Sequence, residues 1–227
     1  MVTITTGVLK DNALYQDIVD FVLPKSGLYD ADLMAYLAEN NAHFAVALDD
    51  GVIVGNSLNF ELPADHYMLP SLEGFLAAEG ISNSDCLSAA AVFVDSSYSG
   101  QNIADRLTIA KSEQGITQGY TYAVAWGYEG QAIFDYNQRI GSLIDTGVDD
   151  KNGFRIYLRT LQNTINNLSW WIKSQHEEVK RVQILLNRTR EEMAKEYVTK
   201  ADSSTVLGQI MSKFDRIEEK IDRLMER

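Results

Sequence analysis

Few side chains in this sequence have the type and spacing that catalysis needs. Cys86 is the single cysteine, which excludes an intrachain disulfide and a cysteine-rich zinc site. It lies in the apolar run Cys86-Leu87-Ser88-Ala89-Ala90-Ala91, the setting of a small buried residue rather than of a nucleophile. His43 and His66 stand apart, with no His-Asp-Ser set and no second ligand at metal-site spacing. Two carboxylates at the margins of apolar runs, Glu61 and Asp85, have the chemistry of a general base. Each reads equally well as an ordinary surface carboxylate.

Charge narrows the function classes. The net charge is −12, the wrong sign for a general nucleic-acid binder, because phosphate contact needs clustered Lys and Arg. The charge is unevenly placed. Thr160 to Arg227 holds 12 Lys and Arg against 11 Asp and Glu, and the remainder holds 8 against 21. Two parts with such different balances have different surroundings. At 45% hydrophobic and 10% aromatic residues the chain can build a packed core. Met1-Val2-Thr3-Ile4-Thr5-Thr6 lacks the basic and apolar regions of a signal peptide, and no window reaches the length of a membrane span. A soluble, cytoplasmic chain is expected.

Periodicity supplies the elements that position these residues. Val2 to Thr6 alternates like a strand. Asn12 to Leu23 has Leu14, Ile18, Val19 and Val22 at helical spacing, and a second helix covers Asp30 to Asn40 with Asp30 as its N-cap. Phe44 to Leu48 and Val52 to Leu62 form a hairpin about Asp49-Asp50-Gly51. A short helix over Leu72 to Ala78 precedes a buried strand, Cys86 to Val94. A helix over Asn102 to Gln114 turns Ile103, Leu107 and Ala110 inward. Thr121 to Trp126 is a strand, Gln131 to Ile140 a helix, and Ser142 to Asp145 with Phe154 to Leu158 an antiparallel pair. This order predicts a mixed α/β sheet flanked by helices over residues 1–159.

From Thr160 the pattern changes. Leu161, Ile165, Leu168, Ile172, Gln175, Val179, Val182, Leu186, Thr189 and Met193 step by four and three without a break, a heptad seam over 160–199. Residues 200–205 interrupt it, and Leu207, Ile210, Phe214, Ile217, Ile221 and Leu224 restart it over 206–227. Such a stripe forms a coiled-coil stalk that joins copies, an antiparallel hairpin closing at Lys200 to Thr205, or a helix packed on its own domain. The long strict alternation favours the coiled coil. Trp170 and Trp171 flank the seam and are expected to pack against the domain or a neighbouring copy.

The segment Ala91-Val92-Phe93-Val94-Asp95-Ser96-Ser97-Tyr98-Ser99-Gly100-Gln101-Asn102-Ile103-Ala104-Asp105-Arg106-Leu107 resembles the acetyl-CoA-binding segment of the GNAT N-acetyltransferases. There a strand ends in a loop of pattern Gln/Arg-x-x-Gly-x-Gly/Ala that opens a helix. Ala132-Ile133-Phe134-Asp135-Tyr136-Asn137-Gln138-Arg139-Ile140-Gly141 is similar to the later helix of that family. The resemblance implies a GNAT-like acyl-CoA N-acyltransferase fold, with acetyl-CoA as cofactor. It implies that Val94, Ser99, Gly100, Gln101, Asn102, Ile103 and Ala104 receive the pyrophosphate on loop amides and a helix N-terminus. The resemblance calls for a tyrosine acid in the later helix at the position of Asn137, with Tyr136 one residue away as its substitute, and for a base, for which Glu61 and Asp85 are the candidates. The pattern is departed from at Ser99, where it has Gln or Arg, at Asn102, where it has Gly, and at Asn137, where it has Tyr. Asn tolerates left-handed backbone better than most residues.

The tail, Arg190 to Asp202 and Phe214 to Leu224, is similar to coiled-coil tails of tailed-phage proteins. Two functions follow. In one, an oligomeric assembly protein, a virion component, is built on a degenerate GNAT-like domain and associates with itself and with other virion proteins. In the other, an active N-acetyltransferase oligomerises through its C-terminal helices. Neither has a metal.

Overall fold

The computed structural model describes residues 1–25, 29–61, 69–127, 143–149, 155–197 and 204–225. The chain forms two compact units, Val2–Ser169 and Trp170–Arg227, with Met1 grouped in the second.

The first unit begins with β1 (Thr3–Val8), α1 (Tyr15–Val22) and α2 (Ala31–Glu39). The first helix starts three residues later than periodicity placed it. Asp11 is left-handed (φ 52°) and Asn12 accepts the Leu14 N–H at 3.0 Å, so these residues make a turn instead of a helical one. Asp30 caps α2 by accepting from the Leu33 N–H at 2.8 Å. Strands β2 (His43–Asp49) and β3 (Val52–Glu61) meet at a turn where Asp50 (φ 49°) and Gly51 (φ 82°) are both left-handed, the geometry that matches strand twist. Next come α3 (Leu69–Glu79), β4 (Cys86–Val94), α4 (Ile103–Thr117), β5 (Tyr122–Gly127), β6 (Leu143–Asp149) and β7 (Arg155–Thr160). The helix expected over Gln131 to Ile140 lies outside the described residues.

The strands form one mixed sheet in the order β1-β2-β3-β4-β5-β7-β6. Its two faces are covered by different helices. Phe44, Val46 and Leu58 face α1 and α2 with Ile18, Val22, Met34 and Leu37. Ala45, Ala47 and Val54 face α4 with Ile103 and Leu107, as the sequence predicts for that helix. Gly115 holds α4 close: a Cβ there would lie 2.8 Å from Leu87 Cδ1 and 2.9 Å from Leu161 Cδ1. Gly115→Val is therefore expected to destabilise the unit by about 1–3 kcal/mol through overpacking. A thermal melt checks this, and an unchanged midpoint would contradict the close approach.

A long helix follows, α5 (Leu161–Tyr197), then α6 (Ser204–Met225). The start of α5 corrects the seam reading. Leu161 and Leu168 are buried in the first unit, so they are core residues of the domain and not of a stalk. A three-four stripe looks the same whether a sheet or another helix covers it.

In the second unit α5 and α6 run antiparallel. Gln183 Nε2 donates to Asp222 Oδ1 at 2.9 Å. Arg190 donates to Glu218 Oε2 at 2.7 Å and to Asp215 Oδ1 at 2.6 Å. The chain thus forms the hairpin named above as an alternative. Its inner face keeps Val179, Leu186, Leu207, Ile210, Phe214 and Ile221 of the predicted seam but takes Gln183, Arg190 and Glu218 in place of Val182, Thr189 and Ile217. Glu218 is half-buried and Ile221 buried, whereas Val182, Ile217 and Leu224 are exposed. Arg190 and its two carboxylates set that register, and no apolar spacing reveals such a clamp.

Candidate functional site

β4 and β5 are parallel neighbours for three pairs only: Cys86↔Tyr122, Leu87↔Ala123 and Ser88↔Val124. Beyond them β4 continues to Val94 against β3 and β5 continues to Gly127 against β7. Each strand is held on its outer side while the inner sides part. The result is a slot in the plane of the sheet, edged by strand backbone that can pair with an extended, amide-bearing chain. β4 is also bulged along the slot. Ser57 lies opposite Val92 but Asn59 lies opposite Ala89, which leaves one extra residue on β4 and turns its backbone out of the ladder.

At the mouth of the slot the chain enters α4 through a tight loop. Asp95 Oδ1 accepts from the Ser97 N–H at 3.0 Å and from its hydroxyl at 2.6 Å. These bonds hold the Asp95 carboxyl below the usual carboxylate range. Gly100 (φ 79°) and Asn102 (φ 55°) are both left-handed. Asn102 is the N-cap of α4 yet makes no side-chain cap bond. The amides of Ile103 to Asp105 precede the first helical bond, from the Arg106 N–H to the Asn102 carbonyl at 3.0 Å, and stand at the positive end of the helix dipole. Ser99 and Gly100 are exposed, Asn102 and Ala104 are half-buried, and Gln101 and Ile103 are buried. This backbone suits an anion: two left-handed residues, Gly100 and Asn102, lead into a helix start that Asn102 does not cap with its side chain.

The side chains around that backbone are acidic. Tyr98 donates its hydroxyl to Asp49 Oδ2 at 2.8 Å, and this bond raises the phenol's pKa. Asp49 and Asp50 at the hairpin turn thus flank Asp95, and Asp105 sits in the first turn of α4. The nearby Arg106 donates to the Val2 carbonyl at 3.0 Å.

Glu61 is not brought to the slot. It lies on β3 opposite Leu87, in a row where β4 and β5 are still paired, and its Oε1 accepts from Tyr120 at 2.6 Å. Burial and then that bond push the Tyr120 phenol up to about 12. His43 Nδ1 lies 3.1 Å from Gln114 Nε2 and 2.8 Å from Gln118 Nε2. Amide nitrogens only donate, so Nδ1 is the acceptor. Burial lowers the pKa of His43, opposed in part by Glu61. Asp85 caps its own turn by accepting from the Ser82 N–H at 3.3 Å. Cys86 is buried, its thiol pushed up to about 11 by burial and Asp85. Tyr136 and His66 lie outside the described residues.

Sequence reasoning missed two residues beneath the slot. Lys111 is 2% exposed and Arg159 is 3% exposed. Burial, and then the Arg159 guanidinium, hold Lys111 well below the usual lysine range. A signal was present for Lys111: it falls four residues after Leu107 on the apolar stripe of α4. Among the described residues no group of three or more His, Cys, Asp and Glu could hold a metal ion, and no helix is long and apolar enough to cross a membrane.

No protein-family model matches the chain, and no curated protein sequence matches it. Solved structures do. An N-acetyltransferase from Staphylococcus aureus Mu50 is similar at 14% identity and a TM-score of 0.51, over 71% of this chain and 99% of its own. A polyamine N-acetyltransferase from Drosophila melanogaster is 16% identical, covering 70% and 98%, with a TM-score of 0.49. An acetyltransferase of the GNAT family from Staphylococcus aureus Mu50 is 16% identical, covering 69% and 99%, with a TM-score of 0.45. The mixed sheet, the split between its two parallel strands and the first of these likenesses agree: the chain has a GNAT-like fold, followed by a long C-terminal helix.

Proposed function

We propose that the Val2–Ser169 unit is an acetyl-CoA-dependent N-acetyltransferase. The observation that carries this reading is the juxtaposition of the β4–β5 slot with the left-handed loop at Gly100 and Asn102. A structural scaffold has no need of either feature. The amides of Gly100 to Ala104 would hold the diphosphate, and Val94 and the inner edge of β4 would orient the pantetheine amides by strand-like pairing. Acetyl-CoA, when bound, supplies a thioester whose carbonyl an amine attacks, forming the C–N bond as the C–S bond breaks. In the family a tyrosine returns the proton to the leaving sulfur; Asn137 holds that position here, and Tyr136, one residue away, would take the role. Glu61 is engaged by Tyr120 one strand away, so this reading leaves the amine proton to water.

Calorimetric titration with acetyl-CoA tests the reading, followed by thiol release in the presence of a panel of primary amines. The protein's own thiol is buried and gives that assay little background. Binding with amine-dependent thiol release is the expected result. No binding heat at two temperatures would overturn it.

The acidic mouth of the slot, with Ser99 in place of Gln or Arg, supports a second reading in which the chain is an assembly part. The helical hairpin favours self-association independently. Val182, Leu185, Ile217 and Leu224 are all about half exposed on it, more apolar surface than a two-helix hairpin covers. We propose that a second copy covers this face. A place in a virion has support only in the likeness of the tail to phage coiled coils. Ile217→Asp, at a position 45% exposed, is expected to leave the chain folded while light scattering shows the mass fall to that of one chain. An unchanged mass would count against a second copy on this face.

A further inference from the structure

The exposed apolar residues of the α5–α6 hairpin gather on one flank of it. Two antiparallel helices are related by a local two-fold axis, so residues that hold the same place beside the inner row lie on the same side. Val182 immediately precedes the half-buried Gln183, and Ile217 and Leu224 immediately precede the half-buried Glu218 and Met225. Val182, Ile217 and Leu224 are all exposed and therefore share a flank. Leu185, one turn along α5 from Val182, is exposed beside them.

Charge divides that flank between the two helices. Residues seven apart share a stripe. The outer stripe of α5 reads Glu178, Leu185, Glu192, and that of α6 reads Lys213, Lys220. The four charged residues are exposed. On this side α5 is acidic and apolar, whereas α6 is basic and apolar. The acids of α6, Asp215, Glu219 and Asp222, lie on its other flank. Gln183 stands level with Asp222 and Arg190 with Asp215. Each step up α5 is a step down α6, so Glu192 stands level with Lys213.

A second copy can meet this flank in two symmetric ways. A two-fold axis across the helices lays α5 on α5 and α6 on α6, acid against acid and base against base. A two-fold axis along the helices lays α5 on the partner's α6, level for level, and sets Glu192 opposite the partner's Lys213. Opposed like charges count against the first arrangement, and paired opposite charges fix the register of the second.

We infer that two copies close this flank as a four-helix bundle in which α5 of each lies against α6 of the other. This rests on the reading that a second copy covers the hairpin, and adds which helix meets which. The apolar residues between the stripes supply the buried core of the contact.

The test is sedimentation equilibrium of the full chain, of Glu192→Lys, of Lys213→Glu and of the double exchange. The wild-type chain is expected at the mass of two chains. Each single reversal should raise the dissociation constant about tenfold, because a two-fold axis repeats every contact. The double exchange should return it to within about threefold of the wild type. Glu192→Lys also breaks a pair with Arg188 in its own helix, at 3.1 Å. That loss persists in the double exchange, so recovery reports the contact between copies. Both positions are exposed, and neither reversal is expected to unfold the chain. Single reversals without effect, or a double exchange no tighter than they are, would overturn this arrangement and leave the second copy standing. A mass above two chains would overturn the two-fold bundle. A wild-type mass of one chain would remove the second copy and this inference with it.

Discussion

Ala104→Glu is expected to abolish binding of acetyl-CoA without unfolding the protein. Ala104 is the second residue of α4, and its amide is among those that precede the first helical bond. A carboxylate about 5 Å from a diphosphate repels it by about 3 kcal/mol at an effective dielectric near 20, which weakens binding about 200-fold. The acidic side chains already at the mouth leave little affinity to lose. The same carboxylate favours a helix N-terminus, so the melting temperature should hold or rise slightly. Ala104→Gln adds similar bulk without charge and should keep most of the affinity. If Ala104→Glu binds as the wild type does, the diphosphate does not sit on this loop.

Lys111→Met is expected to flatten the pH dependence of stability of the Val2–Ser169 unit. The wild-type lysine must lose its proton or hold a charge beside Arg159 in a buried site. Methionine fills similar space without either cost. In the unfolded chain the lysine keeps its proton up to about 10.4, whereas folding depresses its pKa. Between those limits the unfolded state binds more protons, so Lys111 makes stability rise with pH. Thermal melts at pH 7 and pH 9 should show this upward term in the wild type and its loss in Lys111→Met. A substitution that lowers the melting temperature at both pH values would mean that Lys111 holds the core together.

The sheet was legible wherever local chemistry determines local structure. Asp49-Asp50-Gly51 can adopt two consecutive left-handed residues, and the hairpin forms there. Asp30 supplies a cap, and α2 begins after it. Asn102 is a residue that accepts φ 55°, so the loop keeps its backbone without the glycine its pattern calls for. What escaped the sequence depends on distant partners. Leu161 and Leu168 step like seam residues because a helix on a sheet and a helix on a helix bury the same stripe. The exchange that brings Gln183 and Arg190 inward depends on Asp215, Glu218 and Asp222, which lie some 25 to 39 residues further along the chain. Glu61 had the chemistry of a base, but Tyr120 and the strand register decide where its carboxylate goes. Lys111 and Arg159 are far apart in sequence, and only the β4–β5–β7 register brings them together.

The central claim is that the Gly100–Ala104 loop receives a CoA diphosphate. Backbone amide NMR of the nitrogen-15-labelled chain, titrated with CoA, observes those amides directly. The account predicts that Gly100, Asn102, Ile103 and Ala104 show large shifts that saturate together, with smaller shifts along Ala89 to Val94. Amides that stay in place at millimolar CoA, or shifts confined to other parts of the chain, would contradict it.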